Sequence, residues 1–260
     1  MPVDLGAYAA RIEYGGEFTP TLATLRDVHL AHATHIPFEN LDILLGRPIR
    51  LDLESVTAKL IHARRGGYCF EQNALLAAVL EAIGFRVTRL AARVRMGATE
   101  VRPRSHMLLA VDVEGGRWLA DVGFGGDGLL LPVRLQADEV QRHFGWQYRV
   151  IVEGASHVLQ TWRPEGWLDL YSFTLEEQHA VDYEVSNYFT STFPTSPFVT
   201  RLVAQRPGIE ARLLLVNRQL TEQRPDGVSE STLPDDDAVL ETLAERFGLR
   251  FPAGTRFAYK

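Results

Sequence analysis

Cys69 is the only cysteine among 260 residues, and it sits in the stretch Arg64-Arg65-Gly66-Gly67-Tyr68-Cys69-Phe70-Glu71-Gln72-Asn73. Downstream, residues 74–83 are rich in strong helix formers, with Leu76, Leu80 and Ile83 on one face and Gly84 as a stop. Cys69 is therefore expected at a helix N-terminus. Unpaired backbone N–H groups and the positive end of the helix dipole favour a thiolate there over a free thiol of pKa about 8.5. That is the environment of a nucleophile. A buried structural cysteine is the other reading, the commoner fate of a free thiol, but it needs neither a Gly-Gly turn nor a cap position.

A cysteine nucleophile needs a base, and the base needs a group to orient it. His106 opens the apolar run Ser105-His106-Met107-Leu108-Leu109-Ala110-Val111, and Asp121 closes Arg117-Trp118-Leu119-Ala120-Asp121. The turn Glu114-Gly115-Gly116-Arg117 makes these runs neighbouring antiparallel strands. The start of one and the end of the other then share an edge, where imidazole and carboxylate can meet. Taken singly, a strand-end His is more often a surface or satisfied core residue, and an Asp before Val-Gly is often only a turn former. The order Cys, His, Asp, with the nucleophile on a helix and its partners on adjacent strands, resembles the core of papain-like and transglutaminase-like enzymes.

The elements that must hold these groups follow from the hydrophobic pattern. Residues 4–13, 21–34 and 55–63 read as helices ahead of the Cys69 helix, with Ser55 as an N-cap, and Pro37 ends the second of them by disfavouring helix at Ile36. From residue 85 the period shortens to strands at 85–94, 106–113, 117–121, 148–152, 158–162 and 168–173, separated by Gly-containing turns. An antiparallel sheet or small barrel is expected there. A helix at 182–190, strands near 212–216 and 219–223, and a helix at 235–247 ended by Gly248 complete the chain. No repeat or long linker interrupts it. The division expected is 1–85 for a helical part carrying the nucleophile, 86–190 for a β-rich part carrying His and Asp with a bridging helix at its end, and 191–260 for a terminal part, all packed as one unit.

A hydrophobic fraction of 46% supports a sizeable core. One cysteine rules out an internal disulfide framework and a cysteine-rich zinc site, and with no basic-then-apolar leader and no run long enough to span a bilayer, a cytoplasmic protein is expected. The net charge of −6 argues against a general nucleic-acid binder. The arginines between Arg86 and Arg104 either form a local patch for an anionic cofactor or decorate a solvated strand face. His29, His32 and His35 are spaced three apart, whereas metal-binding pairs on a helix commonly lie four apart, and no carboxylate or cysteine completes a set, so no metal is expected.

Together, residues 65–73, Ser105-His106-Met107 and Asp121-Val122-Gly123-Phe124-Gly125-Gly126 resemble the signatures of the arylamine N-acetyltransferase family of bacterial type. Ile36-Pro37-Phe38-Glu39-Asn40-Leu41 and Ser191-Thr192-Phe193-Pro194-Thr195-Ser196-Pro197-Phe198 fit the same pattern, so the likeness spans most of the chain. The fold class it implies is α+β: an N-terminal helical bundle, a central antiparallel β-barrel and a C-terminal α/β lid. The chemistry it implies is ping-pong transfer of acetyl from acetyl-CoA through acetyl-Cys69 to an arylamine, arylhydrazine or N-hydroxyarylamine. His106 would act as acid/base and Asp121 would fix its ring. Phe38, Phe124 and Phe193 are the expected acceptor contacts. Ser105, Gly125, Gly126 and Thr195 are the expected neighbours of CoA. The Gly-rich run 123–128 alone is a weak phosphate-loop signal, lacking a following Lys-Ser. An amide synthase releasing a polyketide chain, a thiol hydrolase, and a binding module without turnover are the competing readings.

Overall fold

A computed structural model describes residues 2–259. Helices come first: α1 (Leu5–Ile12), α2 (Leu22–His35), a short strand β1 (Phe38–Glu39), α3 (Leu41–Leu44), α4 (Leu53–Thr57) running into a π-helical turn (Ala58–His62), and α5 (Cys69–Ile83). Asp4 and Thr21 cap α1 and α2 through their side-chain oxygens. The cap of α4 is Asp52, whose carboxylate accepts from the Ser55 N–H at 2.9 Å. Ser55 thus lies inside the first turn rather than at its start, because an aspartate three residues earlier already satisfies that donor. Gly84, in the left-handed region at φ 105°, ends α5.

Eight antiparallel strands follow the helices. They are β2 (Arg86–Val94), β3 (Arg104–Val113), β4 (Gly116–Ala120), β5 (Val133–Arg134), β6 (Gln141–His143), β7 (Trp146–Glu153), β8 (Ser156–Arg163) and β9 (Gly166–Phe173), in the order β5-β4-β3-β2-β9-β8-β7-β6. The sheet curls until its two ends nearly meet. There the Gln141 amide bridges them, accepting from the Arg134 N–H at 2.7 Å and donating to the Arg134 carbonyl at 3.0 Å. Strand β3 is buried on both faces, which explains its nearly unbroken apolar run. Leu108 and Ala110 point into the barrel with Leu90, Tyr148 and Tyr171, while Met107, Leu109 and Val111 pack outward against α5 and the other helices. Arginines of the 86–104 segment are largely engaged on this sheet's surface: Arg89 with Glu81, Arg95 with Glu153 and Asp169, Arg104 with Glu176.

Past the bridging helix α6 (Ala180–Thr192) and the short α7 (Pro197–Thr200), four strands remain: β10 (Val203–Arg206), β11 (Arg212–Val216), β12 (Gln219–Arg224) and β13 (Gly227–Thr232). They form a second antiparallel sheet whose outer member is β1, pairing Phe38 with Gln205. Helix α8 (Asp236–Phe247) covers one face through Val239, Leu243 and Phe247 against Ala204, Leu213 and Leu215. The alternate residues Val203, Gln205, Leu214 and Val216 face a cleft shared with the barrel. The helical bundle, the nearly closed barrel and an α/β lid are thus all present. Among the described residues no helix is long and apolar enough to cross a membrane.

Candidate active site

Cys69 is the first residue of α5 and is buried at 5% exposure. Two close approaches set its turn. A Cβ on Gly66 would lie 2.1 Å from the Pro37 carbonyl oxygen, and one on Gly67 would meet the Glu71 side chain at 2.7 Å. Neither glycine has a positive φ. Their value is lack of bulk, not backbone freedom. Glu71 reaches back to accept from the Tyr68 N–H at 3.0 Å, tying down the helix start.

Glu71 also anchors a buried ionic network behind this turn. Lys59 bonds Glu71 at 2.7 Å and Asp42 at 3.0 Å, and Arg65 bonds Glu39 at 2.7 Å and Asp42 at 3.2 Å. Burial raises the Glu71 carboxyl despite the Lys59 ammonium beside it. Burial likewise opposes charge on Asp42, but Lys59 and Arg65 override it and hold that carboxyl low.

Register brings base and orienter together. Leu109 pairs with Ala120, so one further residue sets Asp121 on the barrel-facing side near His106. His106 Nε2 lies 2.7 Å from Asp121 Oδ2, with exposures of 3% and 0%. The other ring nitrogen is left for the thiol, which lines the same cleft and whose sulfur favours the imidazolium electrostatically. Cys69 Sγ also lies 3.6 Å from the Ser105 carbonyl oxygen. Burial disfavours the imidazolium, but the Asp121 carboxylate, its hydrogen bond and the Cys69 sulfur outweigh it and carry His106 up to about 10. Asp121 is held below the usual carboxylate range. Desolvation opposes that, and the charge and hydrogen bond of His106, with hydrogen bonds from Asn73 and Gly123, overcome it.

Further groups on the helices hold the carboxylate. Asn73, one turn beyond Cys69, donates to Asp121 Oδ1 at 2.9 Å and to the Met107 carbonyl at 2.7 Å, and accepts from the Val122 N–H at 3.2 Å. The Gly123 N–H gives Asp121 Oδ1 another bond at 3.0 Å. A Cβ at Gly123 would sit 2.7 Å from the Cys69 Cα, so this glycine lets the strand end touch the nucleophile helix. The α2 histidines act as hydrogen-bonding groups. His29 Nε2 accepts from the Asp121 N–H at 3.1 Å and its Nδ1 meets the Leu130 carbonyl at 3.1 Å. His32 joins the Tyr8 hydroxyl at 2.8 Å to Gln72 Oε1 at 2.7 Å, and Gln72 donates to the Pro37 carbonyl at 2.9 Å. His35 Nδ1 meets the Ala31 carbonyl at 2.8 Å. Among the described residues no group of three or more His, Cys, Asp or Glu is arranged to hold a metal.

A cleft of 290 Å³ opens over the thiol and is lined by Phe38, Cys69, Ser105, His106, Phe124 and Gly126, with Phe198, Arg201, Gln205 and Leu214 from the lid side. Phe124 lies edge-on to His106 at 5.2 Å and tilted to Tyr171 at 5.1 Å. Gly125 adjoins the cleft wall at φ 87°, where a Cβ would strike Gln205, and Gln205 Oε1 accepts from the Gly126 N–H at 2.8 Å. Asp127 fixes the tip of this loop through Arg163 and the fully buried Arg212, which lies 3.7 Å over the Trp146 ring.

Phe193 and Thr195 are not part of this lining. Phe193 is 45% exposed and stacks on Phe189 at 4.5 Å, and Thr195 is exposed. The cause is local: the Ser196 hydroxyl donates back to the Thr190 carbonyl at 2.6 Å, turning the intervening residues outward, and Phe198 enters the cleft instead. Phe198 belongs to the same Pro-Thr-Ser-Pro-Phe element, so the segment was legible and the residue within it was not. Gln205 and Leu214 carry no motif; strand alternation is the signal that finds them once β10 and β11 are placed.

The family model described as N-acetyltransferase matches residues 21–255. An arylamine N-acetyltransferase of Escherichia coli (strain K12) is 41% identical over 248 residues, covering 94% of this chain and 88% of that one. One of Mycobacterium tuberculosis (strain ATCC 25618 / H37Rv) is 42% identical over 255 residues, covering 96% and 90%. Among solved structures, the Salmonella typhimurium arylamine N-acetyltransferase superposes with a TM-score of 0.91 at 39% identity, over 97% of this chain and 93% of that one. The Mycobacterium marinum enzyme in complex with CoA gives 0.90 at 42% identity, over 94% and 92%. With sequence likeness along nearly its whole length and the same fold around its buried Cys, His and Asp, the chain belongs to the arylamine N-acetyltransferase family.

Proposed function

We propose that the protein transfers the acetyl group of acetyl-CoA to an arylamine, arylhydrazine or N-hydroxyarylamine, with Cys69 as nucleophile, His106 as acid/base and Asp121 as the group that orients and charges the imidazole. The observation that carries this reading is that Cys69 and His106 line one cleft, both buried, with His106 bonded to the fully buried Asp121 at 2.7 Å. The Cys69 thiolate adds to the thioester carbonyl, and the C–S bond to CoA breaks. The departing CoA thiolate takes a proton from the His106 imidazolium, leaving acetyl-Cys69. After CoA leaves, the amine nitrogen attacks that acyl carbon while neutral His106 accepts its proton, and the Cys69 thiolate is expelled beside the restored imidazolium.

Main-chain N–H groups at the start of α5 would stabilise the oxyanion of each addition. Phe38 and Phe124, with Phe198, would stack on the acceptor ring, and Ser105, Gly125 and Gly126 would border the pantetheine arm. Phe193 and Thr195 act, in this proposal, only at the outer rim. The exchange of one thioester for another is nearly balanced, so chemistry is limited by positioning rather than by driving force.

Steady-state kinetics with acetyl-CoA and an arylamine tests the reading. Parallel double-reciprocal lines and a stoichiometric burst of CoA release without acceptor are the expected results. Intersecting lines would contradict the acetyl-enzyme route, and hydrolysis that keeps pace with transfer would favour a hydrolase.

A further inference from the structure

Asp121 stands one residue beyond the last residue of β4, where the strand ladder stops. Its main-chain N–H is buried and needs an acceptor that the sheet no longer supplies. His29 provides it from a different element, α2, through Nε2 at 3.1 Å. The same ring's Nδ1 faces the Leu130 carbonyl at 3.1 Å, and since a carbonyl only accepts, Nδ1 carries the proton. Both bonds require one neutral tautomer. Asp121 and Leu130 are the two ends of the loop that holds Phe124, Gly125, Gly126 and Asp127. One imidazole therefore closes the neck of the loop that forms a wall of the cleft, while Gln205, Arg163 and Arg212 hold its far end.

We propose that His29 is a positioning residue for the acetyl-transfer site: it pins the backbone of Asp121 so that its carboxylate aims at His106, and by gripping Leu130 it sets the seat of the 121–130 loop over Cys69. The inference rests on the reading of Cys69, His106 and Asp121 given above. His29 touches neither thiol nor cosubstrate and acts through Asp121. Its burial is complete, at 0% exposure, and desolvation, opposed by the Leu130 and Asp121 contacts, pushes its pKa down to about 4, so the neutral ring that this double contact requires is the form present near neutrality.

The full-length His29→Gln and His29→Asn variants separate this role from simple packing. A Gln amide reaches the position of Nε2 and can accept from the Asp121 N–H. An Asn amide stops near Nδ1 and keeps only the Leu130 carbonyl. Two readouts are compared: the NMR titration of the His106 ring, which needs no cosubstrate, and kcat/KM for acetyl-CoA. In His29→Asn the His106 midpoint is expected to fall by about one unit toward its ordinary 6.5, and kcat/KM to fall about tenfold, the equivalent of one lost hydrogen bond. His29→Gln should stay within about threefold of native, with the His106 midpoint unmoved. Equal behaviour of the two variants overturns the proposal, as does a lower melting temperature in His29→Asn with an unchanged His106 titration. If His29→Asn yields no folded protein, His29→Gln decides alone, native-like titration and turnover supporting the role and loss of both contradicting it. A native protein that accepts no acetyl group at all would instead overturn the transferase reading, leaving the titration to judge His29.

Discussion

The two halves of the site are braced by opposite means. Behind the nucleophile turn lies a network of charges, Glu39, Asp42, Lys59, Arg65 and Glu71, closed against itself. Behind the base lie neutral hydrogen-bonding groups, His29 and Asn73, around the ion pair of His106 and Asp121. The difference follows from what each half must do. The nucleophile turn has to be held in place, and a network in which Lys59 and Arg65 each bridge two carboxylates does that. The His106–Asp121 pair has to control a proton. Neutral neighbours leave its mutual electrostatics uncontested.

The comparison breaks most sharply at Asp121. Asp121→Asn should lower the rate of single-turnover acetylation by about 10⁴-fold, since the carboxylate is the chief support of the imidazolium, while circular dichroism stays native. On the other side, Lys59→Met should cost about 3–5 kcal/mol in urea unfolding, because Glu71 and Asp42 lose a shared buried partner, yet leave turnover per folded molecule within a few-fold. A loss of turnover as large as that of Asp121→Asn would show that the ionic network does more than hold the turn.

The buried histidines should also titrate in two opposite ways. His29 and His32 are pushed by burial down to about 4 and about 3, and His143 to about 3, so the unfolded chain binds protons that the native one refuses as pH falls from 6.5 toward 4. Each such histidine should remove about 1.4 kcal/mol of stability per pH unit over that window, read by unfolding at a series of pH values. His106 has the opposite sign. Raised to about 10, it gives its full stabilisation below 6.5 and loses it as pH climbs from 6.5 through about 10. The smallest effect is expected of Phe193→Ala, which should leave the KM for an arylamine within about twofold, because the ring stacks on Phe189 outside the cleft. Phe124→Ala, beside His106, should raise it more.

Much of this was written in the chain. The helix-start cysteine, the hairpin joining His106 to Asp121 and the β-rich middle all follow from period, turn residues and capping. What escaped did so for physical reasons. Strand β1 has only two residues, and β13, Gly227-Val228-Ser229-Glu230-Ser231-Thr232, is exposed throughout and so carries no apolar alternation. The outward turn of Phe193 rests on a Ser196 hydroxyl bond that residue types do not reveal. The roles of His29 and His32 also escaped, because their partners, Asp121, Leu130, Tyr8 and Gln72, come from distant parts of the chain.

The central claim is that Cys69 carries the acetyl group. Intact-protein mass spectrometry after mixing with acetyl-CoA, without acceptor, tests it most directly. The account predicts one acetyl group on the native chain, none on Cys69→Ala, and its loss when an arylamine is added. No adduct on the native protein, or an adduct that persists in Cys69→Ala, would contradict it.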